Sequence, residues 1–347
     1  MHTHTRKKSG AFTLVELLVV ISIIAIIAAL VIGKFSGVTE SASDAINLAN
    51  LGRISSAVES YSLLNERGFN RLDIVVRGTA SGMTSTPATG TAGSFSTSTD
   101  ALLVFTNSLK NTGLDLAVSA PVTAYGTTFP PLLTQYFLSD ADAAALKDIG
   151  MTYVMRNTTG GRMETGDDKE WGTGSVDDPD TVASIATTLV PGLAVTAVNP
   201  AAISGGGSTI TPLGASIYQS CGQDVRFTLN GSAYGISIDG TSYADFGATE
   251  AMMNALKGSG AGGPTAASAK GGLLLAFGLG QYASLIGSNK AGLDSAPVCP
   301  IMKETQYRRY FLLFRLQTVA GVTKAEFAGV MDSKGNTAKQ LRAAAKK

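Results

Sequence analysis

The sequence predicts an α+β protein in which one long N-terminal helix, membrane-crossing in its first half, packs on a C-terminal head. The head is built around an antiparallel sheet with large loop-rich insertions. Three observations carry this expectation. Phe12 to Ile32, FTLVELLVVISIIAIIAALVI, is almost continuously apolar and holds one ionisable residue, Glu16. A helix crosses a hydrocarbon core in roughly 20 residues at about 1.5 Å each. From Ile32 to Leu64 no proline intervenes and apolar residues keep returning. Beyond Leu64, short β-rich runs alternate with stretches of Ser, Thr, Gly and Ala, the pattern of a sheet joined by long loops.

The helix comes first. Phe35, Val38, Ala42, Ala45 and Ala49, then Ile54, Val58 and Tyr61, recur near three- and four-residue intervals, which is helical spacing. A continuous helix from Phe12 to Leu64 would measure about 80 Å, far more than a bilayer, so its outer half needs a head to cover the apolar stripe. Gly33, Gly37 and Gly52 are weak points in it, each costing up to about 1 kcal/mol relative to Ala, or are tolerated at tight packing points. Three segments are therefore expected: a leader over 1–11, the helix over 12–64 with 12–32 in the membrane, and an exported head over 65–347.

Composition agrees with export. Charged residues make up 15% of the 347 and Gly contributes 40, which suits a loop-rich, β-containing exported protein better than a cytosolic enzyme. Three of the 27 basic residues, Arg6, Lys7 and Lys8, precede the apolar run. A chain beginning at Phe12 is then slightly more acidic than basic, and nothing predicts nucleic-acid binding.

Orientation follows from the flanks. After the run come Lys34, Glu40 and Asp44, with no further basic residue until Arg53, so the basic leader stays cytoplasmic and everything after Ile32 is exported. An ordinary secretory signal has an apolar region of about 7–15 residues ending at a small-residue cleavage site. This run is longer, although Ser41-Ala42-Ser43 resembles such a site.

The junction Lys7-Lys8-Ser9-Gly10-Ala11-Phe12-Thr13-Leu14-Val15-Glu16 decides between these readings. It closely resembles the N-terminal cleavage and methylation motif of type IV pilins and type II secretion pseudopilins. In that family a membrane peptidase cuts on the cytoplasmic side just before a Phe, which is then N-methylated, and a Glu stands at the fifth mature position. Phe12 and Glu16 fit that spacing. The family usually has Gly directly before the Phe, whereas here Ala11 stands between Gly10 and Phe12. A cut after Ala11 preserves the spacing and is the expected one; a cut after Gly10 would move Glu16 to sixth place.

Glu16 itself has two readings. Near the start of a helix a carboxylate gains about 0.3–1 kcal/mol from the macrodipole and lies close to the headgroups. A charge at the centre of a span costs about 2.5–3.5 kcal/mol on insertion scales, so one that is kept usually serves a partner. The resemblance implies that partner: the N-terminal amine of a neighbouring subunit, neutralised as a filament grows. It also implies that the segment near Gly33 loosens on assembly.

In the head, Asn65 to Gly68 is expected to end the helix, with Gly68 as terminator. Thr79 to Thr99 reads as a loop, as do Asn157 to Asp180, Ser204 to Ser208 and Gly258 to Gly272. Asp100 to Lys110 and Asp140 to Asp148 read as short helices opened by Asp caps. Strands are expected at Met151 to Arg156, Thr187 to Val198, Val225 to Leu229 and Tyr234 to Ile238, the last two joined by a turn at Gly231 to Ala233. The strongest strand signal is Tyr307 to Val319, with Tyr310, Leu312, Phe314 and Leu316 on one face and Phe311, Leu313, Arg315 and Gln317 on the other. Lys324 to Met331 reads as a short amphipathic helix, and the end of the chain through Lys347 as a frayed helix or tail.

Few residues invite chemistry. Both histidines, His2 and His4, lie in the leader, so a processed chain has no Ser-His-Asp, Cys-His or histidine-metal site. Cys221 and Cys299, the two cysteines, are expected to form a disulfide in an oxidising compartment, worth about 4 kcal/mol on the chain-entropy model; two buried free thiols are the alternative. Asp167-Asp168, Asp177-Asp178-Pro179-Asp180 and Asp239 offer oxygen ligands for calcium, or are solvated turns, since no spacing matches an EF-hand. No metal site or cofactor is otherwise expected. The clusters Gly205-Gly206-Gly207 and Gly258 to Gly263 lack the Lys-Ser/Thr ending of a phosphate loop and read as linkers. Trp171 and Arg162 fit an exposed binding surface or a packing anchor.

Taken together, the expected function is structural, not enzymatic. The resemblance implies a subunit of a type IV pilus-like or type II secretion pseudopilus filament, with prepilin peptidase, other pilin or pseudopilin subunits and the membrane as partners. It implies residence in the inner membrane through the N-terminal helix, with the head periplasmic or extracellular. The rival is an exported binding or hydrolytic domain that uses the same helix only as an anchor.

Overall fold

Helix α1 spans Leu14–Leu64, and Asn65 to Arg67, where its end is expected, lie outside the described residues. The structure, a computed structural model, describes residues 14–64, 68–74, 91–95, 122–124, 127–129, 131–157, 184–199, 202, 213–229, 232–236, 265–270, 272–287, 293–301 and 309–344. Contacts divide the chain into two units, Met1–Ile46 and Asn47–Lys347. Among the described residues no helix is long and apolar enough to cross a membrane. Side-chain exposure near the start of α1 is described over 14–25, short of the roughly 20 residues a crossing requires.

In the second unit the helix supplies one wall of the core. Leu51, Ile54, Val58 and Tyr61 are buried, at steps of three and four that keep them on one face. From Tyr61 a line of aromatic rings runs into the sheet. Tyr61 and Phe69 have centroids 5.6 Å apart, Phe69 and Phe314 are at 5.4 Å, and Phe314 meets Phe277 at 5.9 Å and Phe327 at 6.0 Å. Tilted and edge-on pairs at such separations add about 0.5–1.5 kcal/mol each beyond area burial.

The strands in chain order are β1 (Leu72–Asp73), β2 (Ser94–Phe95), β3 (Val122–Ala124), β4 (Thr127–Phe129), β5 (Leu133–Phe137), β6 (Tyr153–Asn157) and β7 (Ser184–Thr188). They continue with β8 (Ala194–Val198), β9 (Asp224–Leu229), β10 (Ser232–Ile236), β11 (Thr265–Lys270), β12 (Leu273–Gly278), β13 (Phe311–Val319) and β14 (Val322–Met331). Three short helices accompany them: α2 (Asp140–Asp148), α3 (Leu213–Ser220) and α4 (Ala338–Ala344). The main sheet has nine strands, running β2-β5-β8-β12-β1-β6-β7, with β13 also on β12 and β14 on β13. Strand β12 is its hub. One edge pairs with β13 from Leu273↔Leu316 to Gly278↔Phe311, and the other takes β8 at Leu275↔Ala197 and β1 at Gly278↔Asp73.

The chain is thus α+β, and β13 has the two faces its alternation predicts. Tyr310, Leu312, Phe314 and Leu316 join the main core, whereas Phe311 and Leu313 are buried outside that cluster. The expected wholly antiparallel sheet is corrected: β1 runs parallel to β6, with Leu72↔Val154 in register. Lys324 to Met331 is not a helix but most of β14, where nine residue pairs with β13 supply the hydrogen bonds that helical spacing alone left unassigned. The Thr187 to Val198 run is broken by Pro191-Gly192 into β7 and β8, which lie far apart in the sheet. The cap of α2 is Ser139, not Asp140: its hydroxyl accepts from the Asp142 amide and the Asp142 carboxylate accepts in return, a capping box. Strand β11 lies inside the stretch read as a linker over Gly258 to Gly272, and β9 and β10 pair as a hairpin, with Ser232 and Ala233, expected in the turn, already in β10 against Leu229 and Thr228. Asp100 to Lys110 and Ser204 to Ser208, with most of Thr79 to Thr99 and Asn157 to Asp180, lie outside the described residues.

Gly68 has φ +53°, and a Cβ there would sit 1.4 Å from the carbonyl oxygen of Ile149. Only glycine lets the chain leaving α1 pass this close to the end of α2.

Candidate processing and assembly site

The first unit offers a helix surface rather than a cleft. Leu14, Val15 and every large apolar side chain from Leu17 to Ile24 are between 44 and 80% exposed. Consecutive positions point around the whole circumference, so the helix is apolar on all sides, as helices in membranes or buried cores are. Ser22 donates its hydroxyl to the Leu18 carbonyl at 2.8 Å, so its polar group is satisfied within the helix. Glu16 sits in the first turn, where the positive end of the macrodipole favours a carboxylate. Gly10, Ala11 and Phe12 lie outside the described residues.

The second unit holds the other polar feature, a buried network joining α1 to the C-terminal end of β14. Asn47 takes a place on the helix stripe four residues before Leu51, and it is fully buried, as is Asp332. Its amide donates to Asp332 Oδ2 at 2.8 Å. The Asn336 side chain donates to the same oxygen at 3.1 Å, and the backbone amides of Lys334 and Asn336 donate to Oδ1 at 2.9 and 2.8 Å. Four donors meet one carboxyl group. Burial pushes the Asp332 carboxyl above its ordinary range, while the hydrogen bonds from Asn336, Asn47 and Lys334 pull it back. Around this pair, Asn50 donates to the Tyr310 hydroxyl at 3.2 Å and the Cys299 thiol approaches Asn47 Oδ1 at 3.7 Å. The Arg309 guanidinium donates to the Ala296 carbonyl, and Ser333 donates to the Arg309 carbonyl at 2.6 Å.

The expected disulfide is corrected: Cys221 and Cys299 are both free. The two thiols have different neighbours. Cys299 lies beside Asn47 of α1, while Cys221 follows α3 and faces Gly329 of β14. Burial pushes each thiol up to about 12, so neither is a ready nucleophile near neutral pH.

Among the described residues no group of three His, Cys, Asp or Glu side chains is placed to hold a metal. The carboxylates considered for calcium, Asp167, Asp168, Asp177, Asp178, Asp180 and Asp239, lie outside the described residues, as do Trp171 and Arg162. Sequence reasoning missed Asn47 and Asp332. Their signals were a polar residue on an otherwise apolar stripe and the turn-forming run Asp332-Ser333-Lys334-Gly335-Asn336.

No curated protein and no solved structure matches the chain. Residues 6–32, which include Gly10, Ala11, Phe12 and Glu16, match the family described as the prokaryotic N-terminal methylation motif, and the chain therefore carries that motif.

Proposed function

We propose that this chain is a filament subunit of the type IV pilin and type II secretion pseudopilin class. The observation that carries the reading is the motif over residues 6–32. Its support is the helical stretch from Leu14 to Ile24 within that motif, whose large apolar side chains are exposed around the helix, with Glu16 in the first turn.

Prepilin peptidase cuts after Ala11, and the new N-terminus, Phe12, is methylated. Residues 12–32 hold the subunit in the inner membrane with its head periplasmic or extracellular. As the subunit enters a filament of pilin or pseudopilin subunits, the Glu16 carboxylate meets the Phe12 amine of a neighbour. That pairing offsets the cost of holding a charge among hydrocarbon, about 2.5–3.5 kcal/mol at mid-membrane. The role is structural. The half-buried Cys221 and the buried Cys299, their thiols both pushed up to about 12, support this reading over nucleophilic catalysis.

The test is Glu16→Ala. It should be processed and inserted as the parent is, yet incorporate poorly into filaments when assembled fractions are sheared and quantified. Parental incorporation of that variant, or a parent chain that stays a single membrane-bound monomer after processing, would overturn the proposal.

A further inference from the structure

The unit Asn47–Lys347 contains a cleft of about 540 Å³ between α1, the end of α3, β14 and α4. Its origin lies in strand pairing. Leu313 pairs with Gly329 and Phe314 with Phe327, so Ala328 is an extra residue, a bulge in β14. Bulges bend a strand and are common beside binding sites. Here the bulge places the two smallest side-chain types, Ala328 and Gly329, on the cleft wall. A Cβ at Gly329 would reach 3.4 Å from Cys221 Sγ, so the space is kept open by the absence of side chains.

The opposite wall is set by α4. Thr337 and Gln340 hold its start, with the Gln340 side-chain oxygen accepting from the Thr337 amide at 2.7 Å and from its hydroxyl at 2.9 Å. Lys339 and Arg342 then fall three residues apart on one helix face, and both line the cleft. They are the charged residues of the lining, and no carboxylate accompanies them among the described residues. Leu51, Val330 and Ala338 supply apolar surface between the helices. Ser55, Ser220 and Thr337 add hydroxyl groups to the lining, and a concave space of roughly 300–1,000 Å³ that mixes apolar wall with a few polar groups is the form of a small-molecule site.

We propose that this cleft binds a small amphiphilic anion, its carboxylate or phosphate held by Lys339 and Arg342 and its apolar body lying against Leu51, Val330 and Ala338. Burial holds the Cys221 thiol in its neutral form, so the cysteine is a wall of the site and not a reactive group. Concavity on four elements favours a small molecule over a flat protein surface. Occupancy of the cleft does not depend on assembly of the N-terminal helix.

The test uses the full chain in phosphatidylcholine nanodiscs, with empty nanodiscs as the blank, titrated calorimetrically with 1-naphthoate, 1-naphthyl phosphate and neutral 1-naphthamide. Either anion should bind saturably at one site per chain and at least tenfold more tightly than the amide, and the tighter of the two identifies the headgroup. The double variant Lys339→Gln/Arg342→Gln changes two exposed side chains. It should weaken anion binding at least tenfold while leaving the amide and the thermal midpoint unchanged. Ser55→Phe, which fills the cleft from α1, should abolish binding of all three probes. Equal affinity for anion and amide, non-saturable uptake, or parental binding by the double variant would each overturn the proposal.

Discussion

Removing the Asn47 amide tests whether α1 is locked to the head by a buried polar contact or only by its apolar stripe. Asn47→Ala deletes one of the four hydrogen bonds to the Asp332 carboxyl, the 2.8 Å contact from α1. At a pH above the raised folded pKa, where Asp332 is ionised, a hydrogen bond to a charged group contributes about 1.5–3 kcal/mol, and the weaker Cys299 approach at 3.7 Å adds little, so a loss of about 2–3 kcal/mol is expected. Asp332→Ala should cost more, because it strands the Asn47 amide and two backbone N–H groups at once, each worth about 1–3 kcal/mol unsatisfied. The double variant should then lose less than the sum, with a coupling of about 1–3 kcal/mol. Urea unfolding of the full chain in detergent, followed by near-ultraviolet circular dichroism, measures each term, provided the denaturant slope is constant across the set. Additive losses, with coupling below about 0.5 kcal/mol, would refute the clamp.

The same carboxyl predicts a pH dependence. Its folded pKa is raised, burial being the largest cause, so the folded state holds its proton where the unfolded chain, near 3.9, has released it. That contribution is fully present below the unfolded value and lost as pH rises through the folded one. Cys299 lies near 12 and the neighbouring Tyr310 is also raised, so neither titrates in that window. Asp332→Asn should flatten the decline in stability as pH rises from about 4. A parental slope in Asp332→Asn would show that the pH dependence arises elsewhere.

Three further substitutions probe the backbone. Gly68→Ala should destabilise by about 3 kcal/mol or more, since left-handed strain and a backbone collision with Ile149 act together. Gly222→Ala, at φ +75° with nothing within 4 Å, should cost only about 1 kcal/mol, and equal losses by thermal melting would contradict the close approach. Ala320→Asn should stabilise by about 0.5–1 kcal/mol. Ala320 and Gly321, at φ 52° and 82°, form the β13–β14 turn, and such turns prefer Asn-Gly. No gain in the same melt would place the strain elsewhere.

How much of this was legible in the sequence depended on whether a signal was local. The α1 stripe, the β13 alternation and the β9–β10 hairpin announce themselves within a dozen residues. Strand β12 does not. Leu273 to Gly278 is a short apolar run beside glycine-rich sequence, and only its three partner strands reveal it as the hub. Strand β14 failed for the opposite reason: Val322 to Met331 carries a pattern that also fits a helix, and pairing with β13 chose the strand. The clamp joins Asn47 to Asp332 across 285 residues, a separation at which composition and spacing carry no information. The motif at 6–32 was the clearest local signal of all, because its chemistry depends on residue order at a single junction.

That junction also supplies the most direct test. Mass spectrometry of the N-terminal peptide from the mature protein should find N-methylated Phe12, with the chain cut after Ala11. An intact Met1 on the membrane-resident protein would contradict the account at its centre.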